Sequence, residues 1–438
     1  MFTLFNHQKI ALNYLRLNDS FILTMEQGTG KTLPSLCRIL ELLKTNIINN
    51  ALIVCPKSVI GSWYRDMELF NKTDRSILLN KVDVINYDSV WRNARYNRDY
   101  DLILLDEAHS IANRQSKRAK FLLRLSVKAK YRYLLTGTPI SNGRLEDSWS
   151  LICFLDPITV NKQVYSNIWR EYTGNKGSFY DWCGRYAFLD QYHKPYKYKR
   201  VEEIQLVLKS YSYCVKKVDC LDLPEKLPDE IRLLNLADTT LYKEMAKHST
   251  SSELEIVADN PLTKLLYLRQ IASGCFSPTN KTSKESALED LLLEIGTKKL
   301  VIFAEFTASI TQIKKVLTKN NITFTTLDGN SDKNNWRLFQ QNANIQVIVC
   351  QYQSGCQGID LFTADTTLYY EPTLRSNVLE QSRDRIHRQG QRNVCSYIHF
   401  ITKGTVEEQI YKALANYSDF NQKLFNEYVS EYQRSFRR

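Results

Sequence analysis

Two sets of five short apolar runs, separated by stretches of helical periodicity, limit the fold of this chain more than any other feature. The first set is SFILTM (20–25), ALIVCP (51–56), DVINY (83–87), DLILLDE (101–107) and YRYLLTG (131–137). The second is KLVIFAEF (299–306), ITFTTLD (322–328), IQVIVCQ (345–351), TTLYY (366–370) and SYIHFI (396–401). Runs this short and this continuously apolar suit strands buried on both faces, and their alternation with helices predicts parallel sheets with crossover connections. The expected fold class is α/β, with two lobes separated by a helical insertion. Residues 156–260 have a different texture, rich in Tyr, Lys and amphipathic helix. The expected boundaries are a lobe over 1–155, a helical protrusion and linker over 156–260, a second lobe over 261–403, and helices over 404–438 that pack back on a lobe.

One of the strands runs into a loop built for phosphate. In FILTMEQGTGKT (21–32) a strand passes through Gly-Thr-Gly-Lys-Thr into a helix with Leu33, Leu36, Ile39, Leu40 and Leu43 on one stripe. Gly28, Thr29 and Gly30 let backbone N–H groups close around phosphates at a helix N-terminus. Lys31 can reach the β- and γ-phosphates of ATP, and the Thr32 hydroxyl can ligate Mg²⁺. The strict pattern asks for glycine at position 25, where this chain has Met25. DLILLDEAHS (101–110) supplies the complementary acids at a strand's C-terminal end. Asp106 would hold Mg²⁺, and Glu107 would orient or deprotonate the attacking water.

The 438 residues carry a net charge of +12, which favours an anionic partner, nucleic acid first. No run of apolar residues is long enough to predict a membrane span, and MFTLFNHQKI lacks the order of a signal peptide. Ten cysteines are scattered without a CxxC pair, so neither zinc nor a disulfide framework is expected. The expected compartment is reducing: cytoplasm, nucleoid or nucleus, or the host cell for a viral chain.

With these residues in view, the chain resembles the superfamily 2 helicases and translocases, and most closely the Swi/Snf-type ATPases. The resemblance runs in order along most of the sequence. Phe5-Asn-His-Gln8 is similar to the segment whose glutamine reads adenine, and LIVCPKSVIGSW (52–63) to one that touches the nucleic-acid backbone. LLTGTPISN (134–142) resembles the motif coupling nucleotide to nucleic acid, and YLRQIASG (267–274) the lead-in to the second lobe. KLVIFAEF, QSGCQGIDLFTADTTLYYEP (353–372) and QSRDRIHRQGQ (381–391) resemble the fourth, fifth and sixth motifs, followed by GTVEEQI (404–410). Departures from the family pattern include Asp360 in place of asparagine, Glu371-Pro-Thr-Leu, and Lys216-Lys217 in place of two arginines.

The resemblance implies two RecA-like P-loop lobes in a compact motor core. It implies an ATP- and Mg²⁺-dependent translocase on the backbone of double-stranded DNA, without sequence specificity. Gln8, Gly358, Asp360 and Gln381 would join the loop residues in binding ATP. His109, Thr136, Gly137 and Thr138 would couple the nucleotide to the track. Lys57, Ser58, Ser354 and Gly355 would meet phosphates, the last two through a loop N–H and a hydroxyl. Arg114 and Lys117, in NRQSKRAKFLLR (113–124), would lie near the track or on a solvated helix face. YHKPYKYKR (192–200) would lie along a duplex or form a soluble protrusion. Trp63 and Trp182 read as core residues.

The sixth-motif segment is expected to be a helix starting near Asn377, capped by that side chain with Glu380 in reciprocal position, and ending at Gly390. On it Gln381, Arg385 and Arg388 would share one face, the two arginines acting as fingers in cis on the γ-phosphate. Arg383 would point elsewhere, as a solvated or DNA-side charge. Two other functions remain open: a strand-separating DNA or RNA helicase of the DEAH kind, and a nucleic-acid clamp or scaffold that uses ATP only as a switch.

Overall fold

The computed structural model describes all residues except 1, 138–143, 162, 221, 252–255, 277–281, 333, 356–358, 417–418, 421–423, 426 and 430–438. The chain divides into two compact units, Met1–Asp222 and Leu223–Arg438. The strands of the first unit are β1 (Ser20–Met25), β2 (Ala51–Cys55), β3 (Val82–Asn86), β4 (Leu102–Asp106), β5 (Tyr131–Thr136), β6 (Pro157–Val160), β7 (Gln163–Ser166), β8 (Ala187–Leu189), β9 (Pro195–Tyr198) and β10 (Ser212–Val215). Six of them make one sheet in the order β10-β1-β5-β4-β2-β3, with every pairing parallel. The other four form the antiparallel hairpins β6–β7 and β8–β9.

Alternate residues of each central strand go to opposite sides. Ile22, Leu52, Val54, Ile103, Leu105 and Leu134 enter one hydrophobic cluster. Phe21, Leu23, Ile53, Leu102, Leu104 and Leu135 enter another, together with Leu36, Ile39, Leu40 and Leu43 of the helix Thr32–Lys44. Both faces of the sheet are therefore covered, which explains why its strands read as unbroken apolar runs. Residues 156–222 extend the first of these clusters. Trp169, Trp182 and Tyr186 pack under the fully buried helix Asp147–Leu155, and β10 then returns to pair with β1.

The second unit repeats the plan with β11 (Glu230–Leu234), β12 (Thr250–Ser251), β13 (Ile256–Val257), β14 (Leu300–Ala304), β15 (Phe324–Leu327), β16 (Val347–Gln351), β17 (Thr366–Tyr369) and β18 (Ser396–Thr402). Its six-stranded sheet runs β11-β18-β17-β14-β16-β15, again all parallel. The region 156–260 is thus shared between the two units and carries hairpins as well as helices. All ten apolar runs are strands. The strands β10 (SYCV) and β11 (EIRLL) were not among them, because each mixes polar with apolar residues and leaves most of its side chains half-buried or exposed. In β11 the burial alternates, and Arg232 bridges Glu230 and Glu294, each at 2.6 Å.

Val406, Ile410, Leu414, Phe420, Phe425 and Tyr428 bury in the core of the second unit. Among the described residues no helix is long and apolar enough to cross a membrane. That core also encloses an ion pair: Lys284 Nζ lies 2.7 Å from Glu407 Oε1, with side chains 2% and 1% exposed. Lys284 donates further to Tyr370 O at 2.9 Å, and Glu407 accepts from the Thr402 N–H at 2.7 Å. Removing one partner of such a pair strands a buried charge, so Lys284→Met should cost about 3–5 kcal/mol in denaturant unfolding. Adding Glu407→Gln should recover part of that loss. An unchanged midpoint in the single variant would show that the pair does not hold this core.

Candidate nucleotide site and basic surface

Every strand of a parallel sheet ends at the same edge, and the first unit gathers its polar residues there. Met25 is the last residue of β1 and fully buried, so position 25 lies inside the strand core and needs no glycine. The loop then turns through Gly28 at φ +83° and Gly30 at φ +77°, left-handed conformations that favour glycine. The Thr29 hydroxyl donates to Glu26 O at 2.7 Å, and Lys31 Nζ donates to Met25 O at 2.9 Å. Thr32 opens the helix.

Two flanks brace this loop. From the helix Asn6–Leu17, His7 Nε2 donates to Thr29 O at 2.8 Å; a carbonyl only accepts, so Nε2 carries the proton. Gln8 Nε2 donates to Gly30 O at 3.1 Å, and its Oε1 accepts from the Phe5 N–H at 3.0 Å. From the end of β10, Val215 O accepts from the Glu26 N–H at 3.0 Å, and Glu26 Oε2 accepts from the Lys217 N–H at 2.9 Å. Of the Lys216-Lys217 pair, Lys217 meets this loop through its backbone N–H.

The acids end β4. Asp106 is buried, with Oδ2 accepting from the Trp63 indole N–H at 3.0 Å and Oδ1 from the Glu107 N–H at 3.0 Å. Burial, and then the neighbouring Glu107, push its carboxyl up to about 6 against the opposing pull of Lys31. Tyr87 donates its hydroxyl to Asp106 O at 2.8 Å. Glu107 has φ +51°, a left-handed backbone that a side-chain-bearing residue seldom adopts. Its Oε1 accepts from Gln27 Nε2 at 3.2 Å, and its Oε2 lies 3.5 Å from His109 Nδ1. The carboxylate thus sits between the phosphate loop and the histidine.

Sequence reading missed Gln27, His7 and Tyr87 as members of this network. It placed Trp63 in the core, which is correct, without its bond to Asp106. Thr136 ends β5 and is buried, and a Cβ on Gly137 would lie 3.6 Å from Met25 O, in ordinary contact with the phosphate loop. Thr138 lies outside the described residues. Lys57 and Ser58 are exposed on a turn directly after β2, at the same edge. Arg114 is half-buried and stacks 3.9 Å from the Phe179 ring centroid, while Lys117 is exposed 5.2 Å from the Trp91 ring.

In the second unit Ser354 and Gly355 lie on the short helix Tyr352–Gly355, in place of the expected loop. A Cβ on Gly355 would fall 2.6 Å from the Cys350 Cβ, so packing accounts for this glycine. Gly358 lies outside the described residues. The sixth-motif helix differs from expectation. It spans Ser376–Arg383, and Arg375 at its N-cap makes no side-chain cap bond. Asp419 takes the capping role, accepting from the Ser376 N–H at 2.8 Å and hydroxyl at 3.0 Å, while Asn377 Oδ1 has no partner among the described residues.

Arg385 and Arg388 therefore follow the helix instead of riding on it. Arg385 Nε donates to Gln381 O at 2.9 Å, satisfying a carbonyl that the ended helix leaves open. The two guanidinium groups still converge, since both donate to Ile359 O, at 3.0 and 3.1 Å. Arg385 and Gln381 are buried, whereas Arg388 is a quarter exposed and ion-paired with Asp360. Arg383 is not a solvated charge. It is mostly buried, paired with Asp229 and Glu380 and set against the Tyr397 ring.

Two family models match the chain: the SNF2-related domain over residues 68–276 and the helicase conserved C-terminal domain over residues 283–390. The chain thus carries an SNF2-related domain followed by a helicase conserved C-terminal domain. Among its curated relatives is an uncharacterized ATP-dependent helicase of Mycoplasma pneumoniae, 25% identical over 98% of this chain and 43% of that one. The ATP-dependent helicase fft1 of Schizosaccharomyces pombe is 25% identical over 94% of this chain and 52% of its own length. The chain thus spans about half the length of these relatives. The solved SWI2/SNF2 ATPase core of Sulfolobus solfataricus in complex with dsDNA aligns over 98% of this chain and 93% of that one, with 23% identity and a TM-score of 0.44.

The phosphate loop makes a direct prediction. A Cβ on Gly30 would fall 2.3 Å from Gln8 Nε2, in a backbone conformation already unfavourable for alanine. Gly30→Ala should lower unfolding free energy by about 1–3 kcal/mol. An unfolding free energy equal to that of wild type would show that the left-handed backbone at Gly30 imposes no such cost.

Proposed function

We propose that this chain is an ATP-driven motor core that moves along the backbone of double-stranded DNA without needing to separate its strands. The observation that carries the reading is the Gln27–Glu107 hydrogen bond at 3.2 Å. It ties a glycine-turned phosphate loop to the acid after β4, so loop and general base share one rigid edge. Gly28, Thr29 and Gly30 present backbone N–H groups to the phosphates, and Lys31 exchanges its bond to Met25 O for phosphate oxygens. Thr32 and Asp106 fit a divalent cation: one offers a hydroxyl at the helix start, the other a buried carboxylate that gains from a nearby positive charge. Mg²⁺, when bound, neutralises phosphate charge and orients the triphosphate.

Glu107 accepts the proton of the attacking water, with Gln27 bonded to one of its oxygens and His109 3.5 Å from the other. Arg388 is the proposed charge for the transferred phosphate, and Arg385 positions it through their shared carbonyl, Ile359 O. Lys57, Ser58, Arg114 and Lys117 of the first unit, and Ser354 of the second, are the proposed backbone contacts. Such contacts hold position without reading sequence.

Glu107→Gln should keep ATP affinity, measured with a fluorescent analogue, while phosphate release falls about 10²–10⁴-fold. Turnover within twofold of wild type would remove Glu107 from the role of base. Duplex DNA should raise the ATPase rate, with a half-saturating concentration that climbs steeply with salt as counterion release weakens binding. Stimulation by single-stranded RNA and not by duplex DNA would replace the translocase reading with that of a strand-separating helicase of the DEAH kind. Triplex displacement separates movement from an ATP-switched clamp, which would hydrolyse ATP and displace nothing.

A further inference from the structure

The aromatic and basic stretch at 192–200 has no part in the nucleotide site. In the structure it closes the hairpin β8–β9, which follows the helix Phe179–Tyr186. The inner side of this element is core: Trp182, Tyr186 and Ala187 are buried. Its outer side is not. Tyr180 is 63% exposed, Tyr192 71% and Tyr196 67%. Between residues 185 and 200 there are five Lys and Arg against one Asp. Lys194, Lys197 and Lys199 have no carboxylate partner among the described residues, and the last two lie over the same Phe188 ring, at 6.0 and 5.1 Å.

Beside the hairpin is a cleft of about 480 Å³, with Asn175, Tyr180, Arg185, Lys199 and Arg200 in its wall. Asp181 also lines it, but its carboxylate is turned to the helix start, accepting from the Ser178 N–H at 3.0 Å and from Asn175 at 2.8 Å. Glu203 bridges Arg185 at 2.9 Å and Arg200 at 3.5 Å, fixing both guanidinium groups in the wall and leaving one of the two charges uncompensated. Arg114 joins this patch to the segment after Glu107, lying 5.4 Å from the Tyr180 ring. The surface is therefore continuous with the first unit's proposed backbone contacts. Its hydroxyl-bearing rings and unpaired lysines match a sugar–phosphate chain better than an apolar partner.

We propose that the hairpin β8–β9 and its cleft are a second anchoring site for the sugar–phosphate backbone of duplex DNA, continuous with Arg114. This rests on the reading of the chain as a DNA motor. The test compares wild type, Lys197→Ala/Lys199→Ala and Lys197→Arg/Lys199→Arg, with duplex titrated into the ATPase reaction and into a fluorescence anisotropy assay at several salt concentrations. The alanine pair should raise the half-saturating duplex concentration about tenfold and reduce the log–log salt slope by roughly 1.8, as loss of two phosphate contacts requires. The arginine pair should restore both.

Wild-type half-saturation and slope in the alanine pair would overturn the proposal. So would loss of binding to phosphatidylserine vesicles with duplex binding intact, which would make this a lipid surface. A wild type whose ATPase ignores duplex overturns the motor reading instead, and the anisotropy slopes still decide the patch.

Discussion

Burial of both faces of each parallel sheet leaves the strand ends as the place for polar chemistry. The side chains of β1, β2, β4 and β5 alternate between two apolar clusters. A charged side chain within a strand needs partners of its own, as Arg132 near the start of β5 finds in Ser20 Oγ and the carbonyl oxygens of Leu155, Ser126 and Ala129. At the C-terminal edge the chain leaves the sheet, and Lys31, Lys57, Asp106, Glu107, Thr136 and Gly137 follow directly from that exit. The site is a consequence of the packing, since the layers that make the core also bring these strand ends into one row.

Within that row, order comes from a few hydrogen bonds that cost little to state and much to lose. Asp106 is held at both oxygens, by Trp63 and by the Glu107 N–H, and its raised pKa marks negative charge that burial leaves under-compensated. Glu107 keeps a left-handed backbone of the kind that costs of order 1–3 kcal/mol, and Gln27 holds one of its carboxylate oxygens. The phosphate loop is bound to the N-terminal helix by His7 and Gln8 and to β10 by Glu26. Strain and buried charge therefore concentrate at the edge, while the core beneath stays apolar and regular.

The second unit uses buried charge differently. Lys284 and Glu407 sit deep in its core and satisfy backbone groups of Tyr370 and Thr402, a structural use with no access to solvent. Arg383 belongs with them. From sequence it was one of three arginines in eleven residues and looked like surplus charge. Its partner Asp229 lies 154 positions away, so no local pattern could reveal that it is buried. Arg388 has the opposite surroundings, a quarter exposed and paired with Asp360, the residue at which this chain departs from the family pattern.

The sequence by itself determined ten of the strands, the glycine-turned loop with its following helix, and the acids at the end of β4. Each of these depends on local periodicity or on glycine and acid spacing, which contiguous residues specify. Tertiary structure alone decided what those residues touch. The strands β10 and β11 mix polar with apolar residues, so no continuous apolar run marked them. The sixth-motif helix ends at Arg383 because Arg385 turns back onto Gln381 O, and its start is capped by Asp419, 43 residues on. The bond from Gln27 to Glu107 spans 80 residues and exists only because β1 and β4 lie two strands apart in one sheet. Spacing along the chain sets which groups are available; the parallel sheet sets which of them meet.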